Sequence, residues 1–451
     1  MGGKWNSVTV EEIAAATQNA LATGPFGSSI SAKFFTDSGT PVIRGSNLSD
    51  NIGVRLIDDG LVYVENELAE KFRRSQAVKG DLVFTCWGTV NQVGIIDNRS
   101  RYGVYIVSNK QMKFTPDNTK ADSLYLYYYF SSPDGQHQIL SQAIGSSVPG
   151  FNLGQLRAIR FPLPPLAEQK AIAHLLGTLD DKIENNRRMN ATLEAMARAI
   201  FKSWFVDFDP VRAKAEGRQP DGMDAATAAL FPDRFTDSPL GKIPAGWGVI
   251  PLYETADYKN GAAFRNEDFT QEGMGLPVIK IAELKEGITA QTKWSFREAI
   301  PEQVIDTGDL LYSWSGSPET SLDVFLWENG PGLLNQHIFK VIAPTPQVKR
   351  LVYYLLKHLR PVLVETAKNK QTTGLGHVTV ADMKRLLVCW PPDTVKIAFD
   401  KLSAPLFEKA FANQIESRKL AATRDALLPK LLSGEVRVGE AAGAVERAEV
   451  G

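Results

Sequence analysis

Arginine and lysine donate to the acceptor edge of guanine, asparagine and glutamine pair bidentately with adenine, and serine or threonine hydroxyls serve either. Residues of these types, with aromatic and glycine neighbours, stand in short loops of the chain, in two matched sets. In the first half they are Gly27 and Ser28 in the run GPFGSS, Arg44 and Asn47 in PVIRGSNL, Thr85 and Trp87 around the end of DLVFT, and Ser146 and Ser147 in a small-residue loop. In the second half they are Arg265 in NGAAFR, Lys280 in PVIKIAEL, Trp314 and Ser315 after DLLYS, Gln336 in NQHIFKV, and Lys370 and Thr372 in loop 368–373. The chemistry on offer is reading of DNA bases, with no bond made or broken. Many of these side chains could instead touch phosphates, which position a duplex without specifying its sequence. Gly-Asp turns and tryptophan loops also serve as plain folding devices, so each single contact keeps that second reading.

Catalytic machinery has no comparable pattern. Gly24 to Ser29 lacks the lysine and spacing of a phosphate loop, and no G-x-G-x-x-G follows a first strand. The two Pro-Pro steps, Leu163-Pro164-Pro165-Leu166 and Trp390-Pro391-Pro392-Asp393, have the wrong neighbours for the Asx-Pro-Pro-aromatic motif of amino-methyltransferases. The five histidines, His137, His174, His337, His358 and His377, show no ligand spacing, and Cys86 and Cys389 lie too far apart for a disulfide framework or zinc site. No metal and no cofactor is expected in this chain, and the cysteines read as small buried hydrophobes of a reducing cytoplasm.

The elements that must position the reading loops come in duplicate. PVIRGSNL (Pro41 to Leu48) returns as PVIKIAEL (Pro277 to Leu284), and GDLVFTCWG (Gly80 to Gly88) as GDLLYSWSG (Gly308 to Gly316). SNKQMKF (Ser108 to Phe114) resembles NQHIFKV (Asn335 to Val341), and LYLYYYF (Leu124 to Phe130) is echoed by LVYYLLKHL (Leu351 to Leu359). Each half closes on a proline pair, which marks a boundary because the residue before proline disfavours the α region. Such repetition at half the chain length predicts two similar units in an α+β fold, pseudo-twofold related and joined by two long coiled-coil helices. The expected order is a first recognition domain (1–162), a central helix (163–206), a connector (207–246), a second recognition domain (247–390), a distal helix (391–434) and a disordered tail (435–451).

The helices carry the clearest periodicity. Ile172, Leu176, Leu179, Ile183, Asn186, Asn190, Leu193, Ala197, Ile200 and Trp204 are spaced alternately by four and three, the seam of a coiled coil. The matching positions after the second proline pair are Phe399, Ser403, Leu406, Ala410, Asn413, Ser417, Leu420, Arg424, Leu427 and Leu431. Both seams are polar in the middle, where buried amides weaken a coil while fixing its register. Arg424 and Pro405 make the second seam poorer, and a kink or late start is expected near Thr178 and Pro405. An antiparallel pair would carry the domains to opposite ends and act as a ruler. Two long helices in an ordinary core are the alternative.

A length of 451 residues implies two or three domains. A hydrophobic content of 43% with 22% charged residues describes a folded globular chain, and a net charge of −1 argues against a protein that merely coats nucleic acid. Localised basic loops remain compatible with it. No apolar stretch approaches the roughly 18 residues of a membrane span, and Glu11 and Glu12 interrupt any leader pattern, so a cytoplasmic protein is expected.

The run LPPLAEQKAIAHLLGTLDDKIENNRRMNATLEAMARAIFKSWFVDFDPV (Leu163 to Val211) resembles the central conserved region of Type I restriction–modification specificity subunits. ESRKLAATRDALLPKLLSGEVRV (Glu416 to Val438) resembles their distal conserved region, and the GPFGS, GDL and Asp207-Phe208-Asp209-Pro210 segments also fit. The resemblance implies two target-recognition domains, each reading one half of an asymmetric split sequence in double-stranded DNA, with the two long antiparallel coiled-coil helices setting the gap. It further implies docking of two methyltransferase subunits holding S-adenosylmethionine and two ATP- and magnesium-dependent translocating nuclease subunits, with no catalysis by this chain. One departure stands out: Thr394 to Lys396 replace the Glu168-Gln169 that follows the first prolines, so the distal helix is expected to pair differently. Two readings from other classes remain, a twin-domain protein scaffold and a single-chain methyltransferase, the latter opposed by the missing cofactor motif.

Overall fold

The computed structural model describes residues 5–27, 29–144, 149–371 and 374–443. The chain divides into a first unit, Met1–Glu184 with Ser417–Gly451, and a second, Asn185–Glu416. Each long helix therefore gives one half to each unit.

The first unit holds two four-stranded sheets. One is antiparallel, in the order Leu21–Thr23, Gln111–Phe114, Leu82–Thr85, Val93–Ile95. The other runs Val62–Val64, Thr40–Ile43, Val104–Val107, Gln76–Val78, and its two central strands are parallel. The second unit repeats both. Its antiparallel sheet is Asp257–Asn260, Ile338–Ile342, Leu310–Ser313, Asp323–Leu326. Its mixed sheet is Trp294–Ser295, Leu276–Ile279, Gly332–Leu334, Val304–Ile305, again with a central parallel pair. Strand order and sense agree throughout, so the sequence repeat is a repeat of fold.

Local chemistry explains the repeated strands. Gly80 and Gly308 take φ of 96° and 92°, a region that favours glycine, and turn the chain into Leu82–Thr85 and Leu310–Ser313. The following aspartates accept backbone N–H bonds from Val78 and Asp306 and pair across to the neighbouring strand, Asp81 with Lys113 at 3.5 Å and Asp309 with Lys340 at 3.0 Å. The Gly-Asp turns are folding devices in both units. Against the first antiparallel sheet packs the helix Ser123–Ser131, capped by Asp122, with Tyr125 to Phe130 all buried.

The long helices span Leu166–Phe205 and Asp393–Ser433. None of the twenty or so seam positions is exposed. In the second unit the seam is an amide ladder: Asn413 Nδ2 donates to Asn190 Oδ1 at 2.9 Å, Asn190 Nδ2 to the Ala410 carbonyl at 3.0 Å, and Asn186 Nδ2 to Glu416 at 2.8 Å. Partner numbers fall along one helix as they rise along the other, so the halves run antiparallel. The first unit gives the same sense, with Asp180 against Arg424 and Glu168 against Arg437.

Three expectations need correction. Neither helix starts late, because both begin within two residues of their proline pair and stay helical through Thr178 and Pro405. Arg424 is not an unpartnered intruder in the seam, since the buried Asp180 answers its charge. The connector 207–246 contains helices Asp209–Ala215 and Ala225–Ala229 and the hairpin Phe235–Ser238 with Gly241–Pro244, held down by Phe231 and Trp247 packing on Trp204 and Phe205. The first part of the tail is ordered, because Ala441 is buried in the first unit's core, with Val436 and Val438 packed against it. The helix starts differ as expected. Buried Gln169 bonds the carbonyls of Pro164 and Lys120 and the Asp122 N–H, whereas Lys396 pairs with Asp393 and lies over Trp390.

Candidate nucleic-acid interface

At the ends of the central strands the first unit opens a concavity of about 610 Å³. Its walls include Arg44, Thr85, Trp87, Gln92, Lys110 and Gln111, supplied by three separate loops. The first follows strand Thr40–Ile43, where Arg44 Nη2 donates to the Gly60 carbonyl and its guanidinium lies over the Phe35 ring. Trp87, just past strand Leu82–Thr85, packs its ring on the bare backbone of Gly150 yet stays 55% exposed. The turn before strand Gln111–Phe114 brings Asn109 and Lys110 to the exposed rim. Gly24 lies so close to the Ser108 carbonyl that a Cβ there would stand 1.9 Å from it, and Asn109 Nδ2 donates to the Gly27 carbonyl. The GPFG segment is thereby clamped to this turn, with Phe26 76% exposed.

The lining is polar and incompletely satisfied. Thr85 Oγ1, Gln111 Nε2 and Arg44 Nε are all buried without a hydrogen-bond partner. Each such group costs about 1–3 kcal/mol. All three belong to side chains that line the same hollow.

The second unit builds its counterpart from different residues. Lys280 stands where Arg44 does, ahead of the helix Ile281–Glu286, with its ammonium 5.0 Å from the Phe269 ring centre. Ser313 matches Thr85, and its hydroxyl is likewise buried and unpartnered. Trp314 comes one residue earlier than Trp87 in the repeat. Successive strand side chains face opposite ways, so Trp314 is half-buried against His337 and Phe339, its Nε1 donating to Asn260 at 3.1 Å. Ser315 is drawn into a short pairing with His377, Gln336 is half-buried beside His337, and Arg265 is exposed with a weak link to Glu267.

Two of the expected reading residues are occupied internally. Asn47 is buried, its Oδ1 accepting from the Arg44 N–H and its Nδ2 donating to the Ile57 carbonyl, so it shapes the loop that presents Arg44. Lys370 is held on the Asp382 carboxylate by contacts of 2.6 and 2.7 Å. Burial raises the Asp382 carboxyl, but Lys370, Thr379 and Arg385 outweigh it and hold it well below the usual carboxylate range. Ser28, Ser146, Ser147 and Thr372 lie outside the described residues. Gln92, Asn109, Lys110, Gln111 and Phe26 were missed. The run SNKQMKF signalled the repeat, but nothing in a single sequence shows that its turn closes over Gly45.

Burial pushes the thiols of Cys86 and Cys389 up to about 12, so neither is a nucleophile at neutral pH. Among the described residues no cluster of His, Cys, Asp or Glu could hold a metal, and no helix is long and apolar enough to cross a membrane.

Comparison with known proteins agrees with this architecture. The model of the Type I restriction modification DNA specificity domain matches residues 3–195 and again 244–419. The chain is 26% identical over 366 residues to the Type I restriction enzyme MjaIX specificity subunit of Methanocaldococcus jannaschii, covering 80% of this chain and 79% of that one. It is 25% identical over 385 residues to the HindI specificity subunit of Haemophilus influenzae, covering 74% and 81% respectively. The crystal structure of a Type I restriction–modification S subunit from M. genitalium shares the fold, with a TM-score of 0.57 at 16% identity over 95% of this chain and 96% of that one. With the family model matched once in each half, the chain belongs to the Type I restriction–modification DNA specificity family.

Proposed function

We propose that each unit reads one half of a split DNA target, and that the first does so through the concavity between Arg44, Trp87 and Gln111. Membership of the specificity family makes the chain the DNA-recognition, non-catalytic component of its system. The observation that carries the residue-level reading is the repeated placement of basic and hydroxyl side chains at the same strand ends in both units, around unpartnered buried polar atoms. In the first unit Arg44, Thr85 and Trp87 face the bases, and exposed Lys110 meets phosphate. In the second, Lys280, Trp314, Ser315, Gln336 and Arg265 supply the reading surface. Methyltransferase subunits carrying S-adenosylmethionine dock on the long helices, and ATP-driven nuclease subunits complete the restricting form.

A gel-shift series tests this. The full chain, alone and combined with a cognate methyltransferase subunit, is titrated against a pool of randomised duplexes. The combined form is expected to enrich a two-part motif, and the pure chain to show no S-adenosylmethionine binding by calorimetry. Binding without sequence preference, or cofactor binding by the chain alone, would contradict the reading.

A further inference from the structure

The hollow beside Gly45 contains a matched donor and acceptor. Gln111 is 1% exposed, and its Oε1 accepts from the Ser108 hydroxyl. That bond fixes which way the amide faces, and leaves Nε2 as a buried donor with no partner. Gln92 is oriented in the opposite sense, because its Nε2 donates to the Leu48 carbonyl at 3.2 Å, turning its Oε1 away as an acceptor. Both free ends converge on one space: the position of a Cβ on Gly45 would lie 3.7 Å from Gln111 Nε2 and 3.8 Å from Gln92 Oε1. Gly45 has no need of glycine for its backbone angle, since its φ is not positive. The missing side chain keeps the space open.

The internal repeat supplies the control. By strand register Gln111 corresponds to Ile338, because Thr85 pairs with Gln111 and Ser313 with Ile338. Gly45 corresponds to Ile281, one residue after Lys280 as Gly45 is after Arg44. Ile338 is fully buried in an apolar cluster, with Ile281 packed against it. The same scaffold therefore closes this space with hydrocarbon in one unit, and lines it with oriented amides in the other. A scaffolding role does not need the amides.

We propose that Gln111 Nε2 and Gln92 Oε1 form a reading pair for one adenine in the half-site of the first unit. In the major groove only adenine offers a ring-nitrogen acceptor, N7, beside an amino donor, N6; guanine offers two acceptors, thymine an acceptor and a methyl group, cytosine a donor. Gln111 donates to N7 and Gln92 accepts from N6. The second unit, with isoleucines there, reads its half by other means, so the two half-sites differ chemically. This inference rests on the DNA reading proposed for the two units.

The test uses the full chain combined with a cognate methyltransferase subunit, and the duplex enriched from the randomised pool. Each adenine of that duplex is replaced in turn by 7-deazaadenine, which lacks the N7 acceptor. One replacement, in one half-site only, is expected to weaken binding about 10- to 100-fold, the range of a good base contact. In Q111M the same replacement should have no further effect, and other positions should respond as in the parent. G45I, which installs the residue of the second unit, should lose selectivity at that position while its melting temperature stays near that of the parent. If no adenine is sensitive at N7, or the sensitive one responds equally in Q111M, the pocket is not a reader although the DNA reading stands. If the parent enriches no motif, the DNA reading falls and the pocket with it.

Discussion

The carboxylate of Asp180 and the guanidinium of Arg424 meet at 2.7 Å in the interior of the first unit, one on each long helix. Asp180 has no exposed side-chain surface and also accepts from the Tyr128 hydroxyl, with Arg55 of the sheet region 3.9 Å away. Arg55 in turn grips Asp97 at 2.6 Å. A single buried carboxylate thus joins both helices to the recognition domain. Desolvation opposes Arg424's charge, but Asp180 and Asp425 overcome it and raise its pKa.

Removing one partner from such a pair leaves the other charge buried and uncompensated, at a cost of about 3–5 kcal/mol. R424L should therefore lower the first unit's unfolding midpoint strongly, and pairing it with D180L should recover part of the loss. Calorimetric scans of the single and double variants check this. An R424L midpoint equal to the parent's would show that the pair contributes nothing.

Asp382 in the second unit gives an acid-sensitive anchor. Its folded pKa is depressed, so its contribution is fully present above the unfolded value of about 3.9 and fades as pH falls below it, toward the depressed folded value. D382N should destabilise the protein at neutral pH by about 2 kcal/mol, the scale of hydrogen bonds to a charged group. The difference between parent and variant should shrink steadily below about pH 4. Urea midpoints measured from pH 7 down to 3 decide it, and a difference independent of pH would rule out the anchor.

The helices as a ruler can be tested by insertion. Four residues added after Asn190 lengthen a helix by about 6 Å and rotate its downstream part roughly 40° beyond a full revolution. The gap between half-sequences should grow by about one or two base pairs at 3.4 Å each, with the half-sequences unchanged. The coil could absorb one insertion as a stutter, so a second variant carries a matching insertion in the distal helix after Asn413. Methylome maps for parent and variants provide the readout; an unchanged gap at full activity in both variants would remove the ruler.

Much of this architecture was legible in the sequence because periodicity and repetition are local signals. The seam from Ile172 to Trp204 could be read from its spacing alone, and the duplicated GDL turns located equivalent strands before any pairing was known. What one sequence hid depends on long-range packing. Arg424 looked like a flaw in the seam because Asp180 lies 244 positions away in the chain. Asn47 and Lys370 have the right chemistry for base reading, yet the folded chain already occupies their polar groups. Gln92 and Gln111 became visible only when three loops closed around Gly45. Nothing in the connector's sequence shows that Phe231 and Trp247 anchor it.

Exchanging residues 1–160 for the equivalent segment of a related specificity subunit, and mapping methylated adenines across the host genome, shows whether each unit reads one half-target. The expected result is a split motif in which one half changes to that of the donor protein and the other half is kept. A motif altered in both halves, or left unchanged in both, would contradict it.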